Sequence, residues 1–563
     1  MRRRRVDGVR TGMTRRSFLL AGGGALTGSR GLLDAITGGL FTTSPAVAGD
    51  IIGPAVSLGH RLRDGRFPPV SEQRQTGVVI AGGGIAGLAA AWKLAKSGYD
   101  DYVLLELDAA AGGNARSGRN AVCAFPWGAH YVPVPGLNLH PVLELFEELG
   151  IIEGHDAGGV PIYNEFYLCA DPTERLLIDG KWHDGIVPRA GLAAADTAQL
   201  DAFFADMKAW RATRGTDGRP AFAIPIDDSS RDPTILALDR ISMAEYLRRK
   251  AWDSRYLLWY VNYCCRDDYG CRTEETSAWA GIHYFASRAG WGANAPPHSV
   301  LTWPAGNGWI VDALTPRFAG RVSTSSPVID MRNEGGGVTV DYYDAQRDRT
   351  VRVTGGAAVC AAPRFVATRV VRELREAPPP YVRDFTYAPW VVANVTVSEH
   401  PAGRGVPLAW DNVSFTSESL GYVVATHQEL RRYPQAATVL TYYHPLSDTD
   451  PQSARAAALA RPYAEWRARI LADLEGMHPG ITRSVTQVDV WLWGHGMIRP
   501  TPGFIWGAAR QAALAPAGRI WFAHSDMSGI SIFEEAWYRG VAAAEHVMTA
   551  LGTPFRSSLD AAA

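Results

Sequence analysis

Apolar and polar positions follow a clear strand-helix-strand pattern between residues 77 and 106. The β-branched run 77–81 predicts a buried strand, and the Ala- and Leu-rich stretch 88–96 predicts a helix that Gly98 ends. The run 102–106 predicts a second strand. Together these elements form a β-α-β unit of about 30 residues, which is the context that a dinucleotide-binding loop requires.

Helical and strand patterns alternate along the rest of the chain. Residues 49–74, before the first strand, are rich in Pro, Arg and Gly, and we expect them to be extended. The helical patterns cover residues 141–149, 241–263, 452–475 and 534–551. The strand patterns cover the residues around Val328 and the stretches 338–343, 351–360, 390–441 and 520–523.

A glycine-rich loop joins the first strand to its helix. Gly82 permits the tight turn, and Gly84 leaves room for a pyrophosphate where any Cβ would collide with it. Gly87 lets the helix pack closely on the sheet. Ile85 and Ala86 begin the helix, whose free N–H groups and partial positive charge favour phosphate binding. The loop therefore predicts a dinucleotide site.

The residues after the second strand distinguish FAD from NAD. Glu106 ends that strand 19 residues beyond Gly87, where a carboxylate can accept hydrogen bonds from ribose hydroxyls. A second glycine pair, which includes Gly113, and then Arg116 follow. This stretch resembles the flavin amine oxidase superfamily, in which it wraps the far side of the pyrophosphate.

Four later segments continue the resemblance in the order that the superfamily has. They are 125–131 (FPWGAHY), similar to a segment along one flavin face, 303–314, similar to a Gly-rich helix start, 326–328, similar to a strand that meets the adenine, and 520–540, similar to the closing motif beside the flavin ring. The resemblance implies that FAD contacts Gly128, Ala129, His130, Val328, Ile532 and Asp526, the last of these through the ribityl chain.

The resemblance also implies the fold class, which is α/β. A Rossmann-like FAD-binding domain would be built from three chain segments, 75–135, 298–368 and 505–552. An α+β substrate domain, made of residues 136–297 and 369–504, would be inserted between them.

The chain departs from the superfamily at several positions. Ser525 stands where glycine normally precedes the acid, and Glu535 stands where the closing helix normally has glycine. Many amine oxidases of the superfamily place a lysine near flavin N5, but no lysine follows Lys250. Arg383 is the nearest substitute, and arginine cannot lose its proton. Amine oxidation is therefore less favoured than flavin binding, and dehydrogenase or desaturase activity is an alternative.

Candidate catalytic residues lie in the segment 490–496. Trp493, with Trp491, would form an apolar wall that favours a neutral amine, although two alternate tryptophans can equally fill a core face. His495 is a candidate base with a pKa near neutrality, and the alternative is a hydrogen-bonded structural histidine. His130 could face the flavin or carry it covalently.

These residues predict an FAD-dependent oxidoreductase that removes a hydride from a small organic substrate, with an amine or amino acid favoured. One alternative is a flavin-dependent dehydrogenase or desaturase that passes electrons to an acceptor protein instead of oxygen. A second alternative is a flavin-binding subunit without catalysis.

The pattern of the first 48 residues predicts an export signal. A basic start leads to Arg15-Arg16, then Phe18-Leu19, a weakly apolar stretch and small residues at the predicted cleavage site 46–48. This order predicts recognition by the twin-arginine export machinery and a periplasmic location. A cofactor that is bound before export would then be carried out with the folded chain.

Net charge and cysteine spacing argue against nucleic-acid binding and against a metal site. The formal net charge is −1, so nothing points to nucleic acid. The six cysteines lack the C-x-x-C spacing of a metal site, and no metal is expected. Cys271 could form a disulfide with Cys264 or Cys265, or all three could be buried thiols.

Overall fold

A five-stranded parallel sheet carries the glycine loop. The computed structural model describes residues 47–430 and 435–560. Within these residues both predicted strands form, and the predicted helix spans Ile85–Lys96. The sheet order is Val322–Ser323, Tyr102–Leu105, Val78–Ala81, Ala357–Cys360 and Ile520–Phe522. Its strands come from all three segments predicted for the FAD-binding domain, and the sheet is the Rossmann-like unit that the glycine pattern predicted.

The final helix, Phe533–Leu551, packs along the helix that follows the glycine loop. The two backbones approach closely, since a Cβ on Gly540 would lie 2.1 Å from the carbonyl oxygen of Ala86. Trp92 and Trp537 meet across the same contact, with ring centroids 5.2 Å apart. This packing brings the end of the chain against the start of the dinucleotide site.

A seven-stranded mixed sheet forms the base of the larger additional region. All of its strands come from the segments predicted for the substrate domain, and their order is Lys181–Asp184, Glu174–Ile178, Asp411–Ser414, Tyr422–Val424, Thr438–Pro445, Tyr387–Val397 and Val485–Ile498. The helices of this region are Ala194–Ala212, Met243–Arg249, Arg255–Tyr269, Ala278–Ala286, Pro451–Ala460 and Tyr463–Met477. The fold class is therefore α/β with a Rossmann-like domain and an added region, as predicted.

A third sheet pairs the lead-in residues with the second FAD segment. Its order is Val70–Gln75, Arg349–Gly355, Gly337–Asp344 and Val328–Glu334. The expectation that 49–74 is wholly extended was wrong, because Val56–Asp64 is a helix whose Leu62 packs against this core. The helix predicted over 452–475 is two helices, because Pro462 between them cannot donate a backbone hydrogen bond.

Shorter elements connect these layers. They are Gly113–Ala115, Ser117–Arg119, Ala124–Pro126, Tyr131–Pro133, His140–Glu148, Ile152–His155, Pro161–Tyr163, Ile226–Asp228, Pro233–Leu236, Ala237–Arg240, Val300–Thr302, Gly308–Leu314, Thr315–Phe318, Arg364–Val370, Arg372–Glu376, Pro380–Asp384, Ile481–Arg483, Ala508–Ala513 and Ser525–Met527.

The predicted export signal lies almost entirely outside the described residues. Its last residue, Ala48, is described and hydrogen-bonds the edge of the large sheet through Thr486 and Val488. Cys264, Cys265 and Cys271 are buried thiols without a disulfide, which decides between the two alternatives for them. No described helix has both the length and the apolar character needed to span a membrane.

Candidate functional site

A long cavity runs along the carboxyl edge of the Rossmann sheet, and we call it the cofactor cavity. Most of the residues predicted to bind FAD line it together, although they are spread over some 450 positions of sequence. These lining residues are Gly82, Gly84, Ile85, Ala86, Glu106, Gly113, Ala129, Val328, Asp526 and Ile532.

Space for a phosphate group exists at Gly84. A Cβ built there would meet only the Cα of Gly113, at 3.9 Å, so it would project into the cavity. Gly82 has a φ of +110°, the left-handed region in which only glycine is unstrained. The loop therefore leaves open, beside a helix N-terminus, the volume that a diphosphate would fill.

Glu106 holds the glycine loop in place while it lines the cavity. Its two carboxylate oxygens accept hydrogen bonds from the backbone N–H groups of Gly83, at 2.6 Å, and Asp108, at 2.8 Å. Burial raises the pKa of Glu106 to about 7. Ribose hydroxyls that donate to this carboxyl would stabilise its charged form.

Asp526 is fully buried at the other end of the cavity. Its Oδ2 accepts hydrogen bonds from the Tyr387 hydroxyl, at 2.5 Å, and from the backbone N–H of Arg364, at 2.8 Å. Although burial alone would raise it, the nearby His524 ring and these hydrogen bonds hold the pKa of Asp526 below its usual range. Its Oδ1 lies 3.0 Å from His524 Nδ1 and has no hydrogen bond. This orphaned acceptor suits a ribityl hydroxyl.

The other four predicted FAD contacts have different surroundings. Gly87 lies under the loop, where a Cβ would come within 1.9 Å of the Gly82 carbonyl oxygen. Arg116 pairs with Asp108 at 3.0 Å and lies over the Trp491 ring, so it supports the site from outside the cavity lining. Gly128 and His130 line the next cavity instead.

A second cavity, which we call the aromatic cavity, opens from the first and shares Asn114, Ala129 and Ile532 with it. Its walls include the aromatic side chains Tyr131, Trp390, Tyr443 and Trp493. Because the two cavities share these residues, a molecule in the aromatic cavity would lie next to one in the cofactor cavity.

Trp493 lines this wall, whereas Trp491 belongs to the core. Trp493 is half-buried, and its indole N–H donates to the Trp127 carbonyl oxygen at 2.6 Å. Trp491 is buried and stacks on the Trp127 ring at 5.0 Å. Of the two alternatives from the sequence, a cavity wall describes Trp493 and a filled core face describes Trp491. His130 stacks on Tyr443 at 4.5 Å, and burial lowers the pKa of His130 to about 4.

Sequence reasoning missed the carboxyl groups of the aromatic cavity. Asp267, Asp268 and Glu534 line it, and Asp268 is paired with Arg288 at 2.6 and 2.8 Å. Glu534 is 3% exposed, and burial raises its pKa, like that of Asp267, to about 7. The adjacent acids 267–268 on an apolar helix were the available signal, since charged residues seldom lie on buried faces without a role.

Two of the predicted catalytic residues do not lie in the aromatic cavity. Arg383 is exposed in the short helix Pro380–Asp384 and lines neither cavity, so its predicted role beside the flavin is not supported. His495 lines the cofactor cavity and stacks on Phe365 at 4.1 Å. Burial lowers the pKa of His495 to about 4, which corrects the expectation of a base near neutrality.

We expect His495 to weaken the folded state in acid. Its pKa is about 4 in the folded chain and 6.5 as a free group, so the unfolded chain binds the proton first as pH falls. Urea unfolding should show that the wild type loses roughly 2 kcal/mol more stability between pH 7 and pH 5 than His495→Gln. Equal losses in both proteins would contradict the lowered pKa.

Glu535, one of the departures from the superfamily, has a structural contact of its own. Its carboxyl accepts hydrogen bonds from the backbone N–H of Ile226 and the hydroxyl of Ser528, both at 2.6 Å. One turn later on the same helix, Arg539 pairs with Asp227 at 2.8 Å. Through these contacts the final helix holds the segment 226–228 in place beside the site.

Comparisons with known proteins agree with this architecture. The sequence profile of an NAD(P)-binding Rossmann-like domain matches residues 80–149, and no curated protein matches the chain. A putrescine oxidase redesigned in cofactor binding has a TM-score of 0.61 at 16% identity, over 85% of this chain and 100% of that one. Cyclohexylamine oxidase from Brevibacterium oxydans has a TM-score of 0.60 at 16% sequence identity, over 85% of this chain and 99% of that one. A fatty acid isomerase from P. acnes has a TM-score of 0.57 at 16% sequence identity, over 84% of this chain and 98% of that one. The chain shares their fold.

Proposed function

We propose that this chain is an FAD-dependent oxidoreductase that oxidises a small organic substrate, with an amine favoured. One observation carries the proposal. A cavity built like a dinucleotide site, with an open volume at Gly84 and an orphaned acceptor on Asp526, adjoins the aromatic cavity and shares wall residues with it. Two of the structural neighbours are named as amine oxidases, which supports the same reading.

The residues of the cofactor cavity fit FAD. The N–H groups at the helix start after Gly84 would hold the diphosphate, and Glu106 would accept from the adenosine ribose. Asp526 would accept from the ribityl chain through its free Oδ1. When bound, FAD supplies a two-electron acceptor for the hydrogen removed from the substrate carbon.

The aromatic cavity prepares the substrate. Trp390, Tyr443 and Trp493 exclude water and disfavour a charged amine, so the reacting nitrogen is held in its neutral form. Glu534 can receive the proton that an incoming ammonium group loses, because the pKa of its carboxyl is about 7. Neither role requires a lysine.

The electron acceptor can be oxygen or a partner protein. Among the described residues, none of those that line the cofactor or aromatic cavity is a lysine. This favours, as a second candidate, a dehydrogenase or desaturase that reduces an acceptor protein. Peroxide release measured against reduction of an artificial acceptor distinguishes the two.

We further propose that the chain is exported by the twin-arginine machinery to the periplasm. The proposal depends on the Arg15-Arg16 pattern and the small residues 46–48. Export should stop in an Arg15→Lys, Arg16→Lys variant while the cytoplasmic protein still folds, which cell fractionation measures. Continued export of that variant would overturn the proposal.

A visible spectrum followed by anaerobic bleaching tests the enzymatic proposal. We expect purified protein to show a bound flavin spectrum, and an amine panel to bleach it. A protein without flavin, and unable to bind added FAD, would overturn the proposal. A flavin that no amine, amino acid or alcohol reduces would instead support the non-catalytic subunit.

Trp493→Ala should keep flavin but slow its reduction. The shorter side chain removes one wall of the aromatic cavity and lets the substrate lie in unproductive positions, so we expect kcat/KM to fall by about tenfold to a hundredfold. Stopped-flow absorbance measures this change. Trp291→Ala is the matched control, because Trp291 is 41% exposed and lines neither cavity. Unchanged reduction by Trp493→Ala would contradict the role of this wall.

A further inference from the structure

A third cavity of about 600 Å³ continues from the aromatic cavity on the side away from the cofactor cavity. The two share Tyr131, Asp267 and Arg288. We call it the acidic chamber, because three carboxyl groups and several tyrosines line it. These are Glu174, Asp267, Asp411, Tyr131, Tyr260, Tyr263 and Tyr284.

The fold brings the three carboxyl groups together from distant parts of the chain. Glu174 and Asp411 are register partners on adjacent parallel strands of the large sheet, so their side chains lie next to each other. Asp267 comes from the helix Arg255–Tyr269, where Tyr260 and Tyr263 share its face at helical spacing. Two strands and one helix thus direct like charges into one space.

These acids have no cation of their own. The described residues show no ion pair for Glu174, Asp267 or Asp411. Three acids that line one cavity without an ion pair indicate a polar, cationic ligand.

In the part of the chain that the structure describes, the basic groups of the chamber form no ion pair with these acids. Arg288 is held by Asp268, and Arg211 donates to the backbone carbonyl of Phe285. Lys208 is exposed, and burial lowers the pKa of His298. Glu174 and Asp411 therefore lie side by side without a cation paired to either of them.

The surroundings favour an alkylammonium group over a metal ion. No cluster of three metal-ligating side chains occurs in residues 47–430 or 435–560. Tyrosine rings attract ammonium groups through their faces, and carboxylates accept their hydrogen bonds. Burial raises the pKa of Asp267 to about 7 and that of Asp411 well above its usual range, and an ammonium group beside them would favour their charged forms.

We propose that the acidic chamber binds a second, distal ammonium group of the substrate, and that the substrate class is therefore a di- or polyamine. The inference rests on the proposed amine oxidation for the reacting end of the molecule. The reacting nitrogen would lie in the aromatic cavity, and the distal ammonium would lie between Asp267, Glu174 and Asp411. Chain length between the two nitrogens would then determine selectivity.

Matched amines test this proposal on the flavin-loaded protein. We expect kcat/KM for flavin reduction by 1,4-diaminobutane to exceed that for n-butylamine by about 30-fold or more, the value of one buried charge contact. Asp411→Asn and Asp267→Asn should reduce that ratio about tenfold or more. Glu399→Gln is the control, since it removes an exposed carboxylate and should keep the ratio.

Calorimetric binding of 1,4-diaminobutane gives a readout without catalysis. Binding that is lost in Asp411→Asn or Asp267→Asn but kept in Glu399→Gln supports the proposal, even if no amine reduces the flavin and the proposed function fails. Amine oxidation with equal use of n-butylamine and the diamine would overturn the inference and leave the proposed function intact. Absence of diamine binding at millimolar concentration would also overturn it.

Discussion

Gly84→Val should yield a folded protein that no longer binds FAD. A Cβ at this position meets only the Cα of Gly113, at 3.9 Å, so the backbone leaves room for a side chain that points into the cavity. The same atoms occupy the volume where the diphosphate would lie, and relieving such a clash costs about 3 kcal/mol, or a hundredfold in Kd. Flavin content of purified protein and titration with FAD measure the loss.

Gly154→Val is the matched control for this substitution. Gly154 lies in the strand Ile152–His155, and a Cβ there meets nothing within 4 Å. Both variants should unfold at similar urea concentrations, and only Gly84→Val should lose flavin. Full flavin content in Gly84→Val would show that the diphosphate does not lie at this loop.

Asp526→Ala should destabilise the chain and weaken FAD binding together. The substitution leaves the Tyr387 hydroxyl and the Arg364 backbone N–H without an acceptor in a fully buried place. We expect the free energy of unfolding of the flavin-free protein to fall by about 3 kcal/mol, because each unsatisfied buried group costs about 1–3 kcal/mol. Urea unfolding measures this change.

The effect on FAD has its own control. Asp526→Asn retains one carbonyl acceptor for Tyr387 and Arg364, so its stability should change less than that of Asp526→Ala. Both variants alter the free Oδ1 position, and both should bind FAD more weakly than the wild type does. Wild-type FAD affinity in both variants would show that the ribityl chain does not contact Asp526.

The sequence alone determined the Rossmann-like unit and most of the cofactor cavity. Gly82, Gly84 and Glu106 could be assigned because a dinucleotide loop is local, with a strand, a turn and a helix within a few residues of each other. The later segments, such as 326–328 and 520–540, could be assigned because their motifs are also short. Residues of these segments line a single cavity, because the parallel sheet brings the segments together.

Only the tertiary structure decided which side chains line the aromatic cavity. Trp491 and Trp493 alternate on one strand, and their different burial depends on what packs above that strand. Arg383 was chosen for its charge, but the fold leaves it in solvent. Asp267 and Glu174 lie 93 positions apart in the sequence, and only the fold shows that they line the same cavity. Local patterns encode backbone conformation, whereas burial, pKa and charge clustering arise from contacts between residues far apart in the chain.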